Sequence, residues 1–167
     1  MRFLGSLCLV ASWALAQPPG QPAGGGDKPT DLPEVLNYTI TMEKVDKWAA
    51  ASRAVLPYQR THLDEVKNKP DPPASLPHTM DAMAKWTKAN YPVHVRLVER
   101  AGMTFKEYLI MGVALPAALG VESAMERGAQ IPPDMRVNPA NVAFVKANKA
   151  KITAVFAEFQ QLMVGHK

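Results

Sequence analysis

The chain has 167 residues, 47% of them apolar, with a formal charge of +4 and a single cysteine. That is enough chain for one self-sufficient hydrophobic core, and one cysteine excludes a disulfide framework. Lysine and arginine are scattered, with no run longer than two, so the sequence pI of 9.2 reflects a small excess of base and excludes a nucleic-acid-binding stripe.

The N-terminus reads as an address. Met1-Arg2 is a short positive region, Phe3 to Trp13 is apolar, and Ala14-Leu15-Ala16 is an A-x-A cleavage site, which together predict a secretory signal peptide over residues 1–16. A lipid anchor on Cys8 is the competing address. Gly5-Ser6-Leu7 is a poor lipobox, however, and Cys8 lies in the middle of the apolar run. Cleavage near Ala16 leaves no cysteine, which excludes zinc-thiolate sites, covalent c-type haem and a cysteine nucleophile. Residues 17–38 are expected to be a disordered Pro/Gly-rich linker, since Gln17 to Pro33 alone holds five prolines and four glycines. The remaining segment, 39–167, is the candidate folded domain and is destined for the periplasm or the exterior.

Helical patterns follow, punctuated by proline and glycine. Thr41 caps a helix with Met42, Val45, Trp48, Ala49, Ser52, Val55 and Leu56 on one face. Pro57 kinks or ends it, with a further turn or two over Tyr58–Lys67. Asn68–Pro77 holds four prolines and is a loop. His78–Ala89 forms a short amphipathic helix with Met80, Met83, Ala84 and Trp86 as its apolar side. Asn90 is placed to cap the next helix, which has Pro92 in its first turn and ends at Gly102. Thr104 and Glu107 make a capping box, with Met103 positioned to staple onto Tyr108. The helix this opens, Phe105–Arg127, is apolar from Leu109 to Val121, a run too short for a membrane span of ~20 residues. It is expected to continue past Pro116 with a kink. After a loop over Gly128–Val137, Asn138 caps a final helix with Pro139 as its first residue. Val145, Asn148, Ile152, Val155, Phe159 and Leu162 form its seam. Asn148, a polar residue in that seam, is expected to find a partner on a neighbouring helix or a water. Lys146, Lys149 and Lys151 are expected on a solvated face.

The stretches AGMTFKEYLIMGVAL (Ala101–Leu115) and VNPANVAFVKANKAKI (Val137–Ile152) resemble motifs of a family of small secreted bacterial helical proteins of unknown function. The NPAN–FV spacing is the most specific part, and the similarity covers most of the chain after Thr39. The resemblance implies a helical fold and export, and transfers no catalytic residue. Asn148 and Lys149 stand where those proteins tend to carry a histidine and a polar residue, which argues against histidine-dependent chemistry there.

Few constellations carry chemistry. His62, His78, His94 and His166 show no metal-ligand spacing and read as solvated loop or helix-end residues. Methionines could pair with a histidine on non-covalent haem, but at helical spacing they read as core filler. Glu122 and Glu126 share a helical face, four residues apart, and with Tyr108 are the candidate acid–base residues if something desolvates one of them. No phosphate-cradling loop, GxSxG or HExxH motif occurs.

The sequence therefore specifies an all-α domain, a four- or five-helix bundle from about Thr39 to Gly165. The function expected is a non-enzymatic exported module of the cell envelope that binds a protein partner or a small apolar ligand, with no catalytic, cofactor or metal residue assigned. The alternatives are a haem- or metal-binding bundle and an enzyme using Glu122 and Glu126.

Overall fold

The computed structural model describes residues 29–64, 68, 70–130 and 136–164; the expected signal peptide and cleavage site lie outside these. Among the described residues are seven α-helices and no strand: α1 (Pro33–Leu36), α2 (Met42–Thr61), α3 (Met80–Asn90), α4 (Pro92–Arg100), α5 (Phe105–Glu126), α6 (Pro139–Ala147) and α7 (Lys149–Val164). The domain is all-α.

Side-chain caps set most of the starts. Thr41 Oγ1 accepts the Lys44 N–H at 3.3 Å, Thr79 Oγ1 that of Ala82 at 3.1 Å, and Asn138 Oδ1 that of Ala140 at 3.0 Å. Thr104 and Glu107 form both halves of the capping box at the head of α5. Such caps satisfy amide groups that the first helical turn leaves without a partner. Gly102, at φ +80°, ends α4 as expected of a left-handed stop. The expected cap at Asn90 is not one. Asn90 closes α3, its Nδ2 donating to the Trp86 carbonyl at 2.9 Å, and Tyr91 precedes α4 without a side-chain cap bond. Pro92 stands in the first turn of α4, where its missing N–H costs nothing.

Both internal prolines are carried through. Pro57 lies inside α2, which runs on to Thr61, and Pro116 lies inside α5. The carbonyl four residues before a proline loses its donor and is crowded by the ring. In α5 that residue is Gly112, which is buried. Apolar all round, α5 packs against α1, α2, α3, α4 and α6. At 22 residues and a mean hydropathy of 1.5 it could cross a membrane by length and composition, but 56% of that stretch is buried inside the protein, which accounts for its apolarity.

The fold reaches back ahead of Thr39, into the segment expected to be disordered linker. A 3-10 turn over Pro29–Asp31 leads into α1, where Val35 is buried, and Ile40 is buried before α2 begins. Polar contacts hold this segment down. Glu34 Oε2 accepts the Met80 N–H at 3.0 Å, while its Oε1 lies 2.8 Å from Lys106 Nζ, which also reaches Asp81 at 2.7 Å. A Pro/Gly-rich composition hides such anchors, because two isolated apolar residues make no period.

The single final helix expected from Pro139 onward is two helices. Asn148 separates them at φ −119°, ψ 18°. Its N–H reaches the carbonyls of Phe144 and Val145, and its own carbonyl accepts the Ile152 N–H at 3.1 Å. The break redirects the chain: α6 packs on α5, whereas α7 packs on α2. Periodicity could not show this, because Val145, Ile152, Val155 and Phe159 are buried on both sides of it.

The α2–α7 pair is parallel. Asp46 meets Lys151 at 3.2 Å, Arg53 meets Glu158 in a two-point contact at 2.6 and 2.8 Å, and Arg60 donates to the Leu162 carbonyl at 3.2 Å. Asp46, Arg53 and Arg60 stand seven residues apart, the repeat expected along one flank of a helix-pair seam. Trp48, Phe156 and Phe159 fill the space between, with Phe159 edge-on to Trp48 at 5.2 Å.

Candidate functional site

Of the chemistry-bearing residues singled out in the sequence, the fold brings one group together with a partner. Glu122, near the C-terminal end of α5, is only 2% exposed. Lys149, the first residue of α7, places its Nζ 2.9 Å from Glu122 Oε2 and also bonds Glu126. Lys149 is thus drawn off the solvated face expected for it, because it directly follows α6, which packs on α5. Neither Glu122 oxygen accepts a well-directed hydrogen bond, so charge at close range is what holds this buried carboxylate. Burying a carboxylate is costly unless an opposite charge accompanies it. The Lys149 ammonium, and secondarily the Glu122 contact, hold the Glu126 carboxyl below its ordinary range. Glu126 and then Glu122 raise the Lys149 ammonium. The arrangement neutralises a buried acid and fixes the α5–α7 junction.

Tyr108 belongs elsewhere. Fourteen residues before Glu122 on the same helix, it lies about 21 Å away at ~1.5 Å per residue, so the two cannot act on one atom. Its hydroxyl accepts from Ser52 Oγ at 3.3 Å in the core, and burial pushes its phenol up. Phe105 and Trp48 flank its ring.

Two of the histidines, His62 and His94, pack on one ring, that of Tyr58. His62 is exposed and stacked on Tyr58 at 4.0 Å, His78 is exposed, and His166 lies outside the described residues. His94 departs from the solvated position expected of it. It is 4% exposed, edge-on to Tyr58 at 5.2 Å and Tyr91 at 5.6 Å, because it falls on the inward face of α4 with Val95 and Val98. Among the described residues no group of three or more His, Cys, Asp or Glu is set to hold a metal. Met80, Met103 and Met111 are buried core residues.

Asn141 was not singled out in the sequence, and it is one of the most buried polar residues described. Its Oδ1 accepts the Ile40 N–H at 2.9 Å and its Nδ2 donates to the Tyr38 carbonyl at 2.8 Å; Asn138 Nδ2 reaches the same carbonyl at 3.2 Å. The spacing of the two asparagines in NPAN, three apart on one helical face, was the available signal. Beneath the clamped segment lies a cavity of about 10 Å³, lined by Val35, Ala114, Ala117 and Asn141 among others, room for about one water. An open depression of about 500 Å³ adjoins it, lined by Leu36, Asn37 and Arg136 to Pro139. Together these contacts show α6 running alongside α5 in the same direction: Asn141 faces Ala114 and Ala117, and Lys149 faces Glu122.

No family model matches the chain, and neither a curated protein nor a solved structure matches it.

Proposed function

We propose that this chain is a non-enzymatic exported helical module of the cell envelope that binds a protein partner at the free end of the α2–α7 pair. The observation that supports this reading is an apolar end. Beyond the tie between Arg60 and the Leu162 carbonyl, Leu63 is 50% exposed, Met163 38% and Val164 84%. Apolar side chains gathered at one place on a surface mark interaction sites, whereas scattered ones carry no meaning. A protein partner fits better than a small apolar ligand: the cavity of about 10 Å³ has room for about one water, and the depression of about 500 Å³ is open and lined by Asn37, Arg136 and Asn138 as well as by apolar residues. Export rests on the n-region, apolar run and A-x-A site of residues 1–16.

The buried Glu122 supports a second reading, an enzyme in which it serves as an acid or base. Its ion pair with Lys149 favours the structural role instead.

A photo-cross-linking residue at position 63 of the full chain, expressed in the native host, tests the proposal. A discrete protein adduct is expected at 63, lost on Val164→Asp, and absent when the cross-linker replaces the exposed Glu99 on α4. No adduct at 63, or the same adducts from 99, would refute it.

A further inference from the structure

We infer that Asn37 is a glycosylation site, taking a glycan from a lipid diphosphate carrier as the exported chain emerges. Asn37-Tyr38-Thr39 is an N-x-T acceptor sequence, and Asn37 alone of the six asparagines is followed two residues later by serine or threonine. A signal of three residues is short, so its surroundings decide whether it can be used. Asn37 and Thr39 are both exposed, whereas Tyr38 between them is half-buried and Ile40 is buried. The amide and the hydroxyl that define the acceptor are therefore presented to solvent while the intervening ring anchors the segment. The side-chain amides of Asn90, Asn138, Asn141 and Asn148 are all engaged in hydrogen bonds, but that of Asn37 makes none among the described residues. Asn37 lines the open depression of about 500 Å³, which leaves room for the first sugar.

The order of synthesis favours the transfer as well. Met80, Lys106, Asn138 and Asn141, which hold this segment, all come later in the chain, so Asn37 crosses the membrane before its neighbours are clamped. In the reaction Asn37 Nδ2 bonds to the anomeric carbon of the glycan as the bond from that carbon to the diphosphate oxygen breaks. The amide gives up one proton, and the lipid diphosphate leaves with the bonding electrons. The product is a bulky, hydrated group at the C-terminal end of α1.

This inference rests on the export half of the reading proposed above, and one peptide map reports on the two separately. The full chain is expressed in its native host, purified, digested and analysed by mass spectrometry. The peptide spanning Asn37 is expected to carry added glycan mass, and the N-terminal peptide to begin after Ala16. Thr39→Ala is expected to lose the added mass and Thr39→Ser to keep it. Both should leave the circular dichroism spectrum unchanged, since Thr39 holds Lys44 through its carbonyl and not its exposed side chain. A chain that has lost residues 1–16 but carries an unmodified Asn37 overturns the inference with export intact. Added mass that persists in Thr39→Ala overturns it too, because the hydroxyl then plays no part. A chain that retains residues 1–16 refutes export, and the glycosylation with it.

Discussion

Asn141 holds Ile40 from across the fold: its side-chain oxygen accepts the Ile40 N–H at 2.9 Å, across a sequence separation of 101 residues. The amide nitrogen completes the contact by donating to the Tyr38 carbonyl at 2.8 Å. One planar side chain thus supplies both an acceptor and a donor to an extended segment that no strand pairs with among the described residues.

Replacing this amide therefore strands backbone groups. Asn141→Ala leaves the buried Ile40 N–H without an acceptor, while Asn138 retains a contact with the Tyr38 carbonyl. The expected loss is about 1–3 kcal/mol of unfolding free energy, read from urea denaturation. Asn138→Ala removes a helix cap and one longer hydrogen bond, and is expected to cost about 1 kcal/mol. If Asn141→Ala proves no more costly than Asn138→Ala, the clamp is not what secures the segment.

Much of the helical layout was legible because caps and apolar stripes are local. Thr41, Thr104 with Glu107, Gly102, and Asn138 with Pro139 each carry their own instruction within a few residues. What could not be read depends on partners distant in sequence. The break at Asn148 involves no proline or glycine, and the apolar seam keeps its rhythm through it. Only the demand that α6 lie on α5 and α7 on α2 makes the turn necessary. Glu122 is a comparable case, because a carboxylate near a helix end reads as solvated until Lys149 is placed beside it.

The ion-pair junction makes an ordered prediction. Lys149→Met leaves the buried Glu122 carboxylate without its cation, whereas Glu126→Gln removes only an exposed partner. Lys149→Met is expected to lower the melting temperature more than Glu126→Gln. The double variant Glu122→Leu/Lys149→Met leaves no charge buried and is expected to recover stability relative to Lys149→Met alone. Equal melting temperatures for Lys149→Met and Glu126→Gln would show that the Glu122 contact contributes nothing.

Asn148 donates its amide to the Phe144 carbonyl of its own helix at 2.9 Å, and not to a neighbouring helix as the seam position suggested. Asn148→Leu is accordingly expected to cost about 1 kcal/mol, the worth of one half-buried hydrogen bond. The bend itself should survive, since the packing of α6 and α7 on different helices sets it. NMR chemical shifts over residues 147–150 report on this; a continuous helix there in the variant would assign the break to Asn148 alone.

Stability should fall away at both ends of the pH scale. Lys106 lowers the Asp81 carboxyl, Arg53 lowers that of Glu158, and Lys149 that of Glu126. A carboxyl whose folded pKa is depressed contributes stability above its unfolded pKa, roughly 4, and loses it as pH falls further. The melting temperature is therefore expected to hold between about pH 7 and pH 5 and to decline below about pH 4. At the alkaline end the sign reverses in origin. Burial, and then Glu107, push the Tyr38 phenol up to about 12, so the folded state resists its ionisation. That contribution is complete below the unfolded pKa of about 10 and is lost as pH rises from there toward 12. Ultraviolet titration should find Tyr38, like the buried Tyr91 and Tyr108, ionising later than a free tyrosine, and Tyr38→Phe should reduce that late component by one group.

The parallel alignment of α2 with α7 also governs when the molecule can acquire its shape. Arg53 and Glu158 are separated by 105 residues, and the Trp48 ring meets Phe156 and Phe159 only after most of the chain exists. On a ribosome, α2 emerges long before the helix that completes its seam, and a contact so distant in sequence is slow to close. A nascent chain interrupted before Lys149 has α4 and Tyr108 against α2 but leaves the Trp48 ring without Phe156 and Phe159. Synthesis of the last turns is then the event that commits the polypeptide to its native form, and until that moment it remains an open thread.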